Sequence, residues 1–297
     1  MFRKMTIAKR FGFILFIIFI ITLPLITSVM YYFFRENAIR EVADKALLTM
    51  HSMESLRKYV GKELRPTINK ELPKKFVLEG ESGFYILRKV SYNLKEVQPY
   101  YLYKQATNNP LAIENRADYY EEWFLKRFRE NSKLKEITGL RTDGKDPLYY
   151  IARPVRVDQP GCMRCHGDPQ KAPKEQIAKY GTTSGYNYVM DSVVGTNIIY
   201  VPASVPIAIA TRSTAMVAVV FTMLFFILFV IINILIRKSI IHPIENFVKV
   251  ADQVSKGQFD NKFEINTQDD LKALADSFTR LKTSIAMLME MIKKPGK

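Results

Sequence analysis

The sequence predicts an α+β domain, a small antiparallel sheet with a long N-terminal helix, flanked by two membrane-spanning helices and followed by an all-α coiled coil. Three observations carry this. Two charge-free runs of 24 residues, Phe11–Phe34 and Ser213–Ile236, bracket the middle of the chain. Between them, a helical apolar period gives way to short aromatic and β-branched segments separated by turn residues. After the second run come two short amphipathic segments with apolar seams.

Residues 1–10 form a basic N-terminus, with Arg3, Lys4, Lys9 and Arg10 and no acid. Residues 11–34 follow as the first span. At about 1.5 Å per residue a 24-residue helix covers about 36 Å, enough for a hydrocarbon layer about 30 Å thick. A cleaved signal peptide has a shorter apolar core, and no small-x-small site follows this one. Tyr31-Tyr32-Phe33-Phe34 before Arg35 reads as an interfacial aromatic belt. Arg237 and Lys238 flank the second span, residues 213–236, whereas the other ends are mixed in sign. The positive-inside rule then places both termini in the cytoplasm of a two-pass inner (plasma) membrane protein, with residues 35–212 periplasmic or extracytoplasmic.

The formal charge of +15 divides into +4 for residues 1–34, +8 for 35–212 and +3 for 213–297. Most of that surplus faces away from the cytoplasm, so no nucleic-acid partner is expected. The N-terminal cluster suits the anionic headgroups of the lipid bilayer. The +8 on the outer domain suits a carboxylated ligand or a solvated surface.

The outer domain opens on Ile39, Val42, Ala46, Met50, Met53, Leu56, Val60 and Leu64, spaced three or four apart. This pattern predicts a long helix, available as stalk and dimer seam, that ends at Pro66. "KFVLEG", "GFYILRK", "LYYIARPVR" and "GTNIIYVPA" read as strands. Ala117, Tyr120, Phe124 and Phe128 have helical spacing, and 168–186 reads as a loop.

The only two cysteines stand in Cys162-Met163-Arg164-Cys165-His166, the C-x-x-C-H signature of covalent haem c attachment. Thiols three positions apart on one turn reach the two vinyl groups of one porphyrin, and the adjacent imidazole becomes the proximal iron ligand. A structural zinc site needs four ligands, and only His51 and His242 remain besides. A disulfide or a thioredoxin-like redox pair suits the compartment but lacks the βαβ surroundings. For the distal side of the iron His51 ranks first, with a methionine or an open position as alternatives.

"CHGDPQKAP" and "SGYNYVMDSVVGTNIIYVP", with "RKYVGKELRP" and "ATNNP", resemble the bacterial family of PAS-like, c-type haem-binding extracytoplasmic sensory domains. The resemblance covers most of 40–203. It implies a PAS-like α+β fold, thioethers to haem at Cys162 and Cys165, and His166 as axial ligand.

In residues 237–292, Ile244, Phe247, Ala251 and Val254 form one seam. Leu271, Leu274, Phe278, Leu281, Ile285 and Leu288 form a second, and a connector with Gly257 and Phe259 lies between. The segment resembles a HAMP linker. Pro243 stands where that family has its entry proline, and Asp269-Asp270-Leu271 resembles its acidic motif. Asp270 there replaces Glu, and Lys272 stands where Gly is common. Neither seam can bury itself within one chain, so a homodimer through this linker and the N-terminal helix is expected.

Residues 293–297 read as a tail. No phosphate-cradling loop or catalytic triad is visible, and no enzymatic activity is expected. The sequence thus predicts a membrane-anchored haem sensor of redox state or diatomic gas. It would relay through the HAMP module to a separate cytoplasmic signalling protein such as a histidine kinase. The alternative is a membrane-tethered monohaem c-type cytochrome for electron transfer.

Overall fold

The computed structural model describes residues 5–144, 146–260 and 270–293, without the side chains of residues 7, 292 and 293. Arg3 and Lys4 of the basic flank, Asp269 of the acidic motif and most of the tail lie outside the described residues. The chain divides into two compact units, residues 31–214 and residues 1–30 with 215–297.

Helix α1, Ile7–Tyr59, begins in the second unit and continues into the first. In the 31–214 unit it buries Val42, Ala46, Met50 and Met53, and Val60 just beyond its end continues the stripe. These are five of the eight positions that the spacing selects. Pro66 does not end the helical run. A π turn at Val60–Leu64 precedes α2, Arg65–Glu71, and Pro66 falls in the first turn of α2, where its missing N–H costs little.

Two segments expected as strands are helical. "KFVLEG" contributes α3, Leu78–Glu81, and "GFYILRK" opens α4, Gly83–Val97. The Ser82 hydroxyl caps α4 by accepting from the Tyr85 N–H at 3.3 Å. Leu87, Val90, Ser91 and Leu94 then face the core at helical spacing.

The sheet has four antiparallel strands in the order β1-β4-β3-β2: β1 Leu102–Ala106, β2 Ile137–Arg141, β3 Leu148–Arg156 and β4 Val193–Pro202. The last two are the strands expected from "LYYIARPVR" and "GTNIIYVPA". Strand β4 pairs on both edges, and only Val194 and Pro202 within it are not buried. Burial therefore does not alternate along it, because both faces of the sheet are covered.

One sheet face packs under α1 and α4 through Tyr103, Ile151, Ile199 and Val201. The other packs under α5, Tyr119–Glu130, through Phe124, Leu125, Phe128, Tyr150, Ile198 and Tyr200. Burying each phenylalanine contributes about 2–3 kcal/mol. Helix α5 starts at a capping box, in which the Glu121 N–H donates to Asp118 and the Asp118 N–H to Glu121. Helix α6 spans Met163–His166, and the stretch 168–186, expected as a loop, carries α7, Lys174–Tyr180.

Helix α8, Ser204–Ile236, begins in the 31–214 unit and continues into the other; it and α1 are long and apolar enough to cross a membrane, and their most apolar windows are wholly unburied. A core helix of a soluble protein would bury such a window. Phe19 of α1 meets Phe225 of α8 with ring centroids 4.5 Å apart. A second π turn, Arg237–Ile241, leads to α9, His242–Ser255, with Pro243 in its first turn. Helix α10 spans Asp270–Lys293. Phe247 of α9 and Phe278 of α10 pack at 6.2 Å. Much of the seam stays open: Leu281 is 55% and Leu288 54% exposed.

Candidate functional site

A 3₁₀ turn, Pro160–Cys162, runs into α6, so Cys162 and Cys165 lie three positions apart on one helical turn. Both are free thiols of intermediate burial, which the disulfide alternative does not describe. Burial pushes the Cys165 thiol above its ordinary range, with Arg164 and Arg65 partly opposing it. The backbone of the turn is fastened from outside: Gln176 of α7 donates through Nε2 to the Cys165 carbonyl at 2.6 Å. Gly167 closes the turn with its N–H on the Met163 carbonyl at 2.9 Å. A Cβ at residue 167 would stand 2.6 Å from that carbonyl oxygen, so only glycine fits there unstrained.

His166 is held on two sides. Its Nδ1 is 2.7 Å from the Gly185 carbonyl oxygen, which fixes Nδ1 as the donor and leaves Nε2 with its lone pair. The Tyr188 ring stacks on the imidazole at 4.8 Å and 4°. Burial holds the imidazole below its ordinary range, an effect that the Gly185 bond partly offsets. A neutral imidazole with one nitrogen anchored by a carbonyl is the form that ligates metals.

The segment holding His166 is itself pinned. The Gly185 N–H and the Ser184 hydroxyl donate to Asn109 Oδ1 at 2.7 and 2.9 Å. The Tyr188 hydroxyl donates to the Asn109 carbonyl at 3.0 Å. The Asn187 and Tyr188 N–H groups donate to the carbonyls of Gly167 and His166.

Around the motif stand cations and one buried acid. Arg164 lies over the Phe76 ring at 5.6 Å, with Nη1 3.7 Å from Glu81 Oε2. Arg65 donates through Nε to the Glu81 carbonyl at 2.8 Å. Glu81 accepts from the Val77 N–H through Oε1, while its buried Oε2 has no hydrogen-bond partner. The Arg164 guanidinium is thus the charge that offsets this buried oxygen beside the motif. The two free thiols and the open Nε2 are the donor set that a covalently held haem requires.

His51 is not brought to this site. It is exposed on α1, with Nε2 3.3 Å from Arg153 Nη2 on β3. His166 instead packs beside the loop that follows β1, and β1 is separated from β3 by β4. Two strand spacings, about 10 Å, lie between the strand that His51 faces and the one beside His166. Along the other axis, Arg65 beside the motif is 14 positions further along the helical run, about 21 Å. His242 opens α9 in the other unit. Among the described residues no group of three or more His, Cys, Asp and Glu side chains is arranged to hold a metal ion.

Motif reasoning does not single out Gly185, Tyr188, Asn109, Gln176 or Glu81. The first three do fall in "SGYNYV" and "ATNNP", the stretches that carry the family resemblance.

Residues 35–202 match the Tll0287-like family (Tll0287), and residues 235–287 match the HAMP domain. The crystal structure of the cyanobacterial heme-protein Tll0287 is similar at 14% identity and a TM-score of 0.44, covering 55% of this chain and 95% of that one. No curated protein matches the chain. The family match takes in more than half of the chain, including the whole sheet and the Cys162–His166 turn: this protein belongs to the Tll0287-like family.

Proposed function

We propose that this protein is a membrane-anchored, non-enzymatic haem c sensor that signals through its HAMP domain to a separate cytoplasmic partner. The observation that carries the reading is the anchored His166 on the C-x-x-C-H turn, in a chain that also has a HAMP domain. Cys162 and Cys165 would hold the porphyrin by thioethers, and His166 would ligate iron through Nε2. Arg65 and Arg164 supply positive charge suited to the porphyrin carboxylates. When bound, the haem supplies a redox-active iron that can also take a diatomic ligand.

The chain's own residues supply the rest. Gly185 and Tyr188 hold the imidazole, and their segment leads within five residues into β4, which begins at Val193. From Pro202 the chain passes through Ala203 directly into α8, then through the π turn to α9. A shift of the 185–188 segment therefore has an unbroken covalent route to the HAMP helices. The half-exposed seam of α10 and the groove of about 300 Å³ lined by Ala251, Val254, Phe259, Phe278, Leu281 and Ile285 suit packing against a second copy. Two alternative packings of such a bundle provide a two-state output.

The topology that suits this reading has both termini in the cytoplasm and residues 35–212 outside. The test is cross-linking of Leu281→Cys in membranes with a bismaleimide, whose thioethers do not depend on the redox conditions, with the protein ferric and then ferrous. Different dimer yields are expected. Identical yields in every haem state would favour the tethered cytochrome. A Soret band lost on acid-acetone extraction would remove the covalent haem.

A further inference from the structure

Away from the C-x-x-C-H turn, the 31–214 unit has a cleft of about 440 Å³ lined mainly by cations. Its walls include Glu54 of α1, Ser132, Lys133 and Lys135 ahead of β2, and Arg153 and Arg156 of β3. Four cations line it with Glu54, and Glu136 stands as a second carboxylate against Arg153. The volume falls in the range of about 300–1,000 Å³ typical of small-molecule sites.

The two arginines are fixed in place. Arg156 donates through Nη2 to the Ser132 carbonyl at 2.9 Å, which ties the 132–135 segment to the sheet. Arg153 reaches Glu136 Oε2 through Nε and Nη2 and Glu54 Oε2 through Nη1, each at 2.7 Å. Lys133 and Lys135 are exposed. Among the described residues no carboxylate pairs with either lysine or with Arg156. Scattered solvated lysines do not need such a frame. The backbone-tied Arg156 guanidinium beside two free ammonium groups is the chemistry that holds a polyvalent oxyanion, and Arg153 adds a charge shared with its two carboxylates.

We propose that this cleft binds a small polyvalent oxyanion, a di- or tricarboxylate or inorganic phosphate, through Lys133, Lys135, Arg153 and Arg156. The site is independent of haem. It touches α1 through Glu54, which shares the Arg153 guanidinium with any occupant. Binding therefore competes with the contact that fastens α1 to β3, and gives the outer domain a chemical input separate from the iron.

The experiment is isothermal titration of the full-length protein in detergent at low ionic strength, with citrate and inorganic phosphate in separate arms. Saturable binding of at least one anion, one per chain, is expected, and the arm that binds identifies the class. The double substitution Lys133→Ala/Lys135→Ala should weaken it by about tenfold or more. Glu54→Gln, which removes the opposing charge, should tighten it by about twofold to fivefold. Lys126→Ala on the exposed face of α5 should leave it unchanged. Thermal melts of each variant establish that it is folded. Absence of saturable binding in both arms, or equal affinity in the wild type and the folded double-lysine variant, overturns the proposal.

Discussion

The carbonyl oxygen of Gly185 stands 2.7 Å from Nδ1 of His166, 19 residues earlier in the chain. Gly185 has φ +83°, and a Cβ there would meet the Leu111 side chain and come within 2.9 Å of the Leu111 nitrogen. Gly185→Ala is therefore expected to lower stability by about 1–3 kcal/mol and to change the absorption spectrum of the haem-loaded protein. Thermal melts and visible spectra check both. Asn109→Ala, which removes the acceptor of the Gly185 N–H and leaves the Ser184 hydroxyl only the Pro110 carbonyl, should move the spectrum in the same direction.

His51→Ala is expected to leave that spectrum unchanged in both oxidation states, because His51 faces Arg153, with β4 between that strand and the one beside His166. His166→Ala should alter it in both. A shift of the ferric protein towards high spin on loss of His51 would return that residue to the iron.

Tyr103 gives a prediction in alkali. Its hydroxyl is buried and makes no hydrogen bond of good geometry, and burial, partly opposed by the neighbouring Gln105 side chain, pushes the phenol up to about 12. Above about pH 10 the unfolded chain releases this proton while the folded one retains it, so stability falls as pH rises from about 10 to 12, by at most about 2–3 kcal/mol. Tyr103→Phe should abolish that share of the alkaline loss. At neutral pH it should leave the melting temperature equal or higher, since an unsatisfied hydroxyl is removed.

Glu121 should behave in the opposite way. It is 2% exposed and accepts from Lys104 Nζ at 2.6 Å, the Asp118 N–H at 2.9 Å and the Tyr200 hydroxyl at 3.3 Å. Glu121→Ala strands a Lys104 side chain that is 18% exposed, and a loss of about 3 kcal/mol is expected in denaturant unfolding. The pair Lys104→Met/Glu121→Leu should recover much of it, because no buried charge is then left alone.

The range of the interactions decides how much is legible in the sequence. The α1 stripe and α5 announce themselves by local periodicity, and β3 and β4 by short aromatic and β-branched runs. Helix α4 does not, because its opening stretch, Gly83-Phe84-Tyr85-Ile86-Leu87-Arg88-Lys89, is aromatic and branched. Its helical face emerges only when Val90, Ser91 and Leu94 are counted with Leu87. Pro66 reads as a stop because a proline inside a helical pattern usually is one, whereas here it occupies a first turn that the preceding π turn creates. At the site, Cys162, Cys165 and His166 are nearly contiguous and so visible as a motif. Asn109 is not, since its contacts with 184–188 span 75 to 79 residues of sequence. His51 is offered as a ligand by elimination among three histidines, and its place beside Arg153, 102 residues later, is not legible locally.

The place of β4 in the sheet bears on biogenesis. It joins β1 to β3, yet it is the last strand to be synthesised. When Cys162 and Cys165 first clear the ribosome, β1, β2 and β3 are already outside, while the strand that unites them is still within the exit tunnel. The thiols are thus first displayed on a nascent polypeptide that cannot yet close its core, an interval that would suit the covalent attachment proposed above.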